Sequence, residues 1–266
     1  MANAQFAVIT GASSGIGFEL ARLFAKNGFD ILITAEDAGG LETAAATLRS
    51  EGATVATTVA DLAHADGTES LIAAIDAAGR PVDALAANAG FGLGGRFTET
   101  DLKTEIDMIA VNVISTVQLV KHVAQAMAAR RLGRILITGS IAGLMPGAFQ
   151  SVYNGTKAFL DSFGEAIREE LKEQDVVVTV LMPGATETNF FHRAEMDDTK
   201  VGESKKMDAA PVAEAGFKAL MANDDHVVAG FKNKFQALMT NILPDPALAR
   251  MHRDIAQPNS EKAAAE

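Results

Sequence analysis

Short β-branched or apolar runs alternate with longer stretches of helical period along almost the whole chain, and this alternation most restricts the folds open to it. Strands are expected at 6–10, 30–34, 54–59, 84–87, 134–138, 176–182 and 227–229. Helices are expected between them, at 16–27, 41–50, 68–77, 102–131, 152–173 and 212–222. The run Val176-Val-Val-Thr-Val-Leu-Met182 is apolar on both faces, as a strand covered from both sides must be. Strict alternation predicts an α/β, doubly wound parallel sheet of about seven strands with helices on both faces. Asn27-Gly28 ends the first helix with a residue suited to positive φ, and Thr98-Glu-Thr-Asp101 supplies cap residues for the fourth. That fourth span is too long for one straight helix, so a break is expected near Val111-Asn112.

No internal repeat or inter-domain linker interrupts the pattern, and residues 1–266 are read as a single domain. Segment 189–210 differs in character, with Phe190-Phe191 followed by a mixed-charge run. An insertion of that length in a compact domain is usually functional or mobile. Phe231, Phe235, Leu238, Met239 and Ile242 share one face of a helical tail at about 231–257, with packing on the body or on a neighbouring subunit as the default. Residues 258–266 are small and charged and are expected to fray.

The composition, 48% hydrophobic and 21% charged, is that of a globular protein. A net charge of −11 disfavours nucleic acid as a partner, since neutralising phosphates takes clustered Lys and Arg. No uninterrupted apolar run of about 18 residues points to a membrane span, and Met1 leads almost directly to Phe6 without the pattern of a secretory signal. A cytoplasmic protein is the expectation. Cysteine is absent, and His64, His122, His192, His226 and His252 are far apart, so no metal site is expected.

The first strand runs into Thr10-Gly-Ala-Ser-Ser-Gly-Ile-Gly17 and then a helix. Glycines at 11, 15 and 17 allow a tight turn, close approach of backbone to a pyrophosphate and close helix–strand contact. The helix N-terminus adds free N–H groups and a positive dipole end. Tyr153 is the sole tyrosine, and Lys157 lies four residues on, so both share a helix face. An ammonium there can stabilise a phenolate, which makes Tyr153 a candidate acid/base.

Taken together these motifs resemble the short-chain dehydrogenase/reductase family. Thr10–Gly17 is similar to its cofactor loop and Asn88-Ala-Gly90 to its signature after the fourth strand. Asn112, Ser140, Tyr153 and Lys157 match its tetrad, and Pro183-Gly184 with Thr188 matches the turn that meets the nicotinamide. The resemblance spans roughly 6–230 and implies a Rossmann-type fold and hydride transfer between a nicotinamide and a carbonyl or secondary alcohol. It assigns cofactor contacts to Gly11, Ser13, Ser14, Gly15, Ile16, Gly17, Asn88, Ala89, Gly90, Tyr153, Lys157, Pro183, Gly184, Thr186 and Thr188. Asp61 with Leu62 would meet the adenine; Asp61 as a helix N-cap is the alternative. In the reductive direction Tyr153 would donate its proton; Lys157 and an oxidised nicotinamide, both cationic, would make the phenol more acidic. Lys157 would also bond the nicotinamide ribose, Ser140 would hold the substrate oxygen, and Asn112 would position a water linking Lys157 to solvent. A regulatory or scaffold protein that binds nucleotide on the same fold without turnover is the alternative reading.

Cofactor and substrate specificity depend on further residues. A 2′-phosphate wants Arg or Lys after the second strand, while a free 2′-hydroxyl suits a carboxylate. No basic residue occurs from Asp30 to Leu48, so NAD(H) is favoured and NADP(H) not excluded; Glu36 either meets the ribose or faces solvent. Leu93, Ile141, Met145, Phe149, Phe190 and Phe191 suggest an apolar substrate pocket, with Arg96 and Arg193 within possible reach of an anionic group. Long apolar stripes on the helix before the Tyr–Lys pair and on the helix that carries it predict a homodimer or homotetramer.

Overall fold

A computed structural model describes residues 4–240 and 242–260. Seven strands form one sheet: β1 (Gln5–Thr10), β2 (Phe29–Ala35), β3 (Val55–Val59), β4 (Ala84–Ala87), β5 (Gly133–Thr138), β6 (Val176–Met182) and, at its far edge, a short strand His226–Val228. The order is β3-β2-β1-β4-β5-β6 and then that edge strand, every neighbouring pair parallel. The chain winds outward from β1 to β3, then returns to place β4 on the other side of β1. Connections therefore leave in opposite directions at the C-terminal ends of β1 and β4, where such sheets open a ligand crevice.

Helices cover both faces because successive strand residues point to opposite sides. Ala7 and Ile9 join the buried cluster of α1 (Gly15–Lys26), α2 (Ala38–Ser50) and a later helix, Ala209–Ala222; Phe6 and Val8 join the other. On the first face Phe24 meets Phe29 and Phe217 edge-on, at 5.2 and 5.1 Å between ring centres. On the second lie α3 (Ala65–Ala77), a long helix from Leu102 to Arg130, and the helix Ser151–Leu171. Asp37 accepts a bond from Gly39 N at 3.0 Å, which starts α2 three residues before the apolar periodicity begins.

The expected break near Val111-Asn112 is a change of winding. The helix runs as α4 (Leu102–Ile109), a π-helical segment (Ala110–Ile114) and α5 (Ser115–Arg130). By length and composition it could cross a membrane, but Leu119, Val120, Val123, Ala124 and Met127 lie buried in the cluster beneath the sheet. Next in order comes α6 (Ser151–Leu171). Segment 189–210 holds more order than its composition suggests, with α7 (Phe190–Arg193) and α8 (Lys200–Glu203). A two-stranded ribbon frames it, β7 (Thr186–Glu187) with β8 (Met207–Asp208), ahead of α9 (Ala209–Ala222). After the edge strand β9 (His226–Val228), the tail forms α10 (Phe231–Thr240) and α11 (Asp245–Ala256). Phe231, Phe235, Leu238 and Ile242 stay exposed and Met239 is half-buried, so the body of this chain does not cover that face. Residues 258–260 are pinned where fraying was expected: Pro258 bridges Thr199, and Ser260 Oγ donates to Asp198 at 2.6 Å. The remainder, 261–266, lies outside the described residues.

Candidate active site

The glycine turn after β1 is shaped for close approach. Gly11 and Gly15 have φ of 66° and 56°, in the left-handed region that favours glycine. A Cβ on Gly17 would lie 2.1 Å from Gly11 O, so the helix start sits against the turn as only glycine permits. Asn88 ties this turn to the sheet. Its Nδ2 donates to Thr10 O at 3.1 Å, and its Oδ1 accepts from Thr138 Oγ1 at 3.1 Å, joining the ends of β1, β4 and β5. The turn forms one end of a cleft of about 1230 Å3.

At the other end Tyr153 and Lys157, one turn apart on α6, are both buried, 8% and 5% exposed. The Ser140 hydroxyl lies close enough to the phenol to act on its titration. Lys157 Nζ donates to Thr138 O at 2.8 Å and lies 5.9 Å from the Tyr153 ring centre. Phe149, in the left-handed region at φ 67°, turns the chain into α6. Such a conformation costs a bulky residue roughly 1–3 kcal/mol, and the surrounding structure must enforce it.

Burial acts on this pair in opposite senses. It pushes the Tyr153 phenol above its ordinary range, with the Ser140 hydroxyl opposing it. It pulls Lys157 down to about 8, with the Asp161 charge opposing it. Desolvation of the phenolate is the largest of the influences on Tyr153.

Segment 189–210 lies over the cleft. Phe190 stands 5.2 Å from the Tyr153 ring and fills the space left by Gly92, where a Cβ would approach it to 2.5 Å. Arg193 reaches across to Glu36, at the end of β2, and lies 5.9 Å from the Phe91 ring. The residues that line this half are mostly apolar, among them Ile141, Met145, Phe190, Phe191 and Ile255, with Gln150 and His252 as polar neighbours.

Residues 5–199 match the family model for short chain dehydrogenases. An uncharacterised oxidoreductase of Staphylococcus saprophyticus is 31% identical over 217 residues, covering 81% of this chain and 91% of its own. The 3-oxoacyl-[acyl-carrier-protein] reductase FabG of Escherichia coli is 32% identical over 198 residues, 74% of this chain and 80% of its own. Among solved structures, a short-chain dehydrogenase from Sphingobium yanoikuyae in complex with NADPH superposes with a TM-score of 0.80 at 28% identity. That match covers 95% of this chain and 97% of the other. A relative from Burkholderia phymatum in complex with NAD gives 0.79 at 25% identity, over 89% and 92%. The chain belongs to the short-chain dehydrogenase/reductase family. It is an NAD(P)-dependent oxidoreductase with the Rossmann-type fold of that family.

For this short-chain dehydrogenase/reductase, the structure gathers most of the sequence-predicted site residues along one cleft. Gly11, Ser13, Ser14, Gly15, Ile16, Gly17, Glu36, Leu62, Asn88, Ala89 and Gly90 line one part; Ser140, Ile141, Met145, Tyr153, Lys157, Pro183, Gly184, Thr186, Thr188 and Phe190 line the rest. Four residues fall outside the lining, Asn112 among them. Asp61 accepts from Ala63 N at 2.9 Å and pairs with His64 at 3.0 Å on the surface. Leu93 and Phe149 are the others, and Arg96 packs over the Phe149 ring and pairs with Glu99 instead of facing the cleft. Asn112 is buried in the π-helical segment, where its amide donates to Phe91 O and Thr156 Oγ1 and accepts from Phe91 N, each at 3.0 Å. Its side chain thereby clamps the loop at Phe91 to α6. Sequence reading passed over His252, whose Nδ1 lies 2.8 Å from Ala148 O at the cleft edge, and Asp161, beneath Ser140. Only the second carried a signal, its place four residues beyond Lys157.

Proposed function

We propose that this enzyme reduces an apolar carbonyl, or oxidises the matching secondary alcohol, with NAD(H), and that Tyr153 moves the proton. One observation carries the reading: Ser140, Tyr153 and Lys157 line the same cleft that begins at the glycine turn, with the ammonium 5.9 Å from the Tyr153 ring centre. When bound, a nicotinamide dinucleotide supplies or accepts the hydride. The glycine cradle, in which a Cβ on Gly17 would strike Gly11 O, fits a pyrophosphate against the start of α1. Asn88–Gly90 and Pro183–Thr188 would hold the nicotinamide half. Ser140 would orient the substrate oxygen, and Tyr153 would give that oxygen its proton. A phenol that keeps its proton at neutral pH, as burial dictates here, suits the acid role of carbonyl reduction. Lys157 would then stand beside the phenolate left behind.

An apolar substrate follows from the lining beside Tyr153, where Ile141, Met145, Phe190 and Phe191 gather and Arg193 is paired with Glu36; Lys200 and Lys205 line another part of the cleft. Glu36 at the end of β2 suits a free 2′-hydroxyl, which supports NAD(H). NADP(H) has one observation in its favour, the cation that Arg193 brings to the same place from 157 residues away. A panel of ketones, aldehydes and secondary alcohols, run with both cofactors and followed by nicotinamide absorbance, tests the reading. Tyr153→Phe is expected to lower turnover at least about a hundredfold, with cofactor affinity kept within a few-fold. Retained turnover in that variant overturns the proposal; tighter binding of NADPH than NADH overturns the cofactor choice.

A further inference from the structure

Asp161 stands one turn beyond Lys157 on α6, 6% exposed, and takes no direct part in that proton transfer. Its Oδ1 accepts the backbone N–H of Ser140 at 3.2 Å, while Oδ2 has no hydrogen-bond partner. Two glycines of neighbouring segments make room for it. A Cβ on Gly139 would lie 1.8 Å from Oδ1, and one on Gly143 would lie 2.3 Å from Oδ2. The charged and titratable groups that act on it are Lys157 and Glu165 from α6 and His226 from β9, and its own charge acts on Tyr153. Burial pushes its acid up to about 7, while the Ser140 N–H, Lys157 and His226 pull it down. A carboxylate so enclosed, with one bond and an orphaned oxygen, is a poor choice for stability alone, because an apolar side chain of similar volume fills such a site at less cost.

We propose that Asp161 is a positioning residue of this site: it fixes the Ser140 backbone from beneath, and its negative charge sustains the Lys157 ammonium. The inference rests on the roles proposed for Ser140, Tyr153 and Lys157. Geometrically, Ser140 is held on three sides, since its Oγ also accepts from Ala142 N at 3.1 Å and reaches Pro183 O at 3.3 Å. Electrostatically the sign is fixed. An anion stabilises the charged form of a lysine and raises its pKa, and it destabilises a phenolate. Removing the charge therefore lowers the proton affinity of both Lys157 and Tyr153.

The test is a pH titration by nuclear magnetic resonance with 13C in the lysine ε-methylene and aspartate carboxyl groups, and it needs no substrate. Lys157, identified by its loss in Lys157→Met, is expected to titrate near 8. In Asp161→Asn, which keeps an oxygen for the Ser140 N–H, its midpoint is expected to fall by about one unit, a tenfold loss of proton affinity. Asp161→Ala is expected to do the same and to loosen Ser140 as well. An unmoved Lys157 midpoint in either folded variant overturns the proposal and leaves Asp161 a packing residue. Wild-type protein gives an independent check: one aspartate carboxyl should titrate near neutrality, with the Ser140 amide signal following the same curve. No such carboxyl, or an indifferent Ser140 amide, also overturns it. Because no turnover is measured, failure here is separate from failure of the Tyr153→Phe experiment.

Discussion

Glu36 and Arg193 meet although they lie far apart in sequence. The stretch after β2 lacks any cation up to Leu48, yet the fold brings Arg193 from α7 onto Glu36. Both side chains are about half exposed, so the pair contributes little to stability. Its effect on a ligand is larger, because a 2′-phosphate would be repelled by Glu36 and attracted by the same Arg193. Glu36→Gln removes the repulsion and releases the guanidinium. The NADPH dissociation constant, measured by calorimetry, should fall about tenfold relative to that of NADH, in the range of a charge-assisted hydrogen bond. Adding Arg193→Ala should cancel that gain. An unchanged ratio in the single variant would show that neither side chain selects the cofactor.

The helix α6 presents its constraints turn by turn. Tyr153, Lys157 and Asp161 occupy one buried face at i, i+4 and i+8, while Gly155 faces outward, and a Cβ added there would have nothing within 4 Å. Gly155→Ala should therefore stabilise the protein by about 0.5–1 kcal/mol through helix propensity alone. Gly164 is the counter-case: its Cβ would come within 2.4 Å of Val180 Cγ2, and Ala there should cost roughly 1–3 kcal/mol. Urea unfolding of the two variants checks both, and equal effects would remove the distinction between exposed and packed glycine. Sequence periodicity was enough to place this helix, its Tyr–Lys spacing and the glycine turn after β1, because each depends on neighbours within a turn or two. Asp161 was not legible in that way, since its burial depends on Gly139 and Gly143 from another segment. The π-helical winding at Asn112 depends likewise on bonds to Phe91 and Thr156, 21 and 44 residues away. Order within 189–210 escaped periodicity because α7 and α8 are too short to show any; Phe191, Ala194 and Met196 are buried there with Ala256 of α11.

For the whole molecule, the parallel sheet buries its own faces, and two of the exposed apolar groups among the described residues lie on helices. One is the face of α10, at Phe231, Phe235 and Leu238. The other lies on the neighbouring helices α4–α5 and α6, where Ile106, Ile114 and Phe159 are 54%, 51% and 43% exposed. Phe159 also stacks on Phe163 at 5.7 Å, which holds its ring as a fixed ledge and lowers the entropy lost when another surface covers it. A self-complementary pairing would bring each of these helices against its twin, so one substitution acts twice at a two-fold interface. The α4–α6 face is therefore the expected seam of a homo-oligomer, and charge placed there should open it. Ile114→Asp combined with Phe159→Asp is expected to lower the mass found by size-exclusion chromatography with light scattering to that of a smaller assembly. The same change at Phe231 and Phe235 gives the contrast: if it alone lowers the mass, the seam lies at the C-terminal tail. A wild-type protein that elutes only at 27.8 kDa would show that no seam exists.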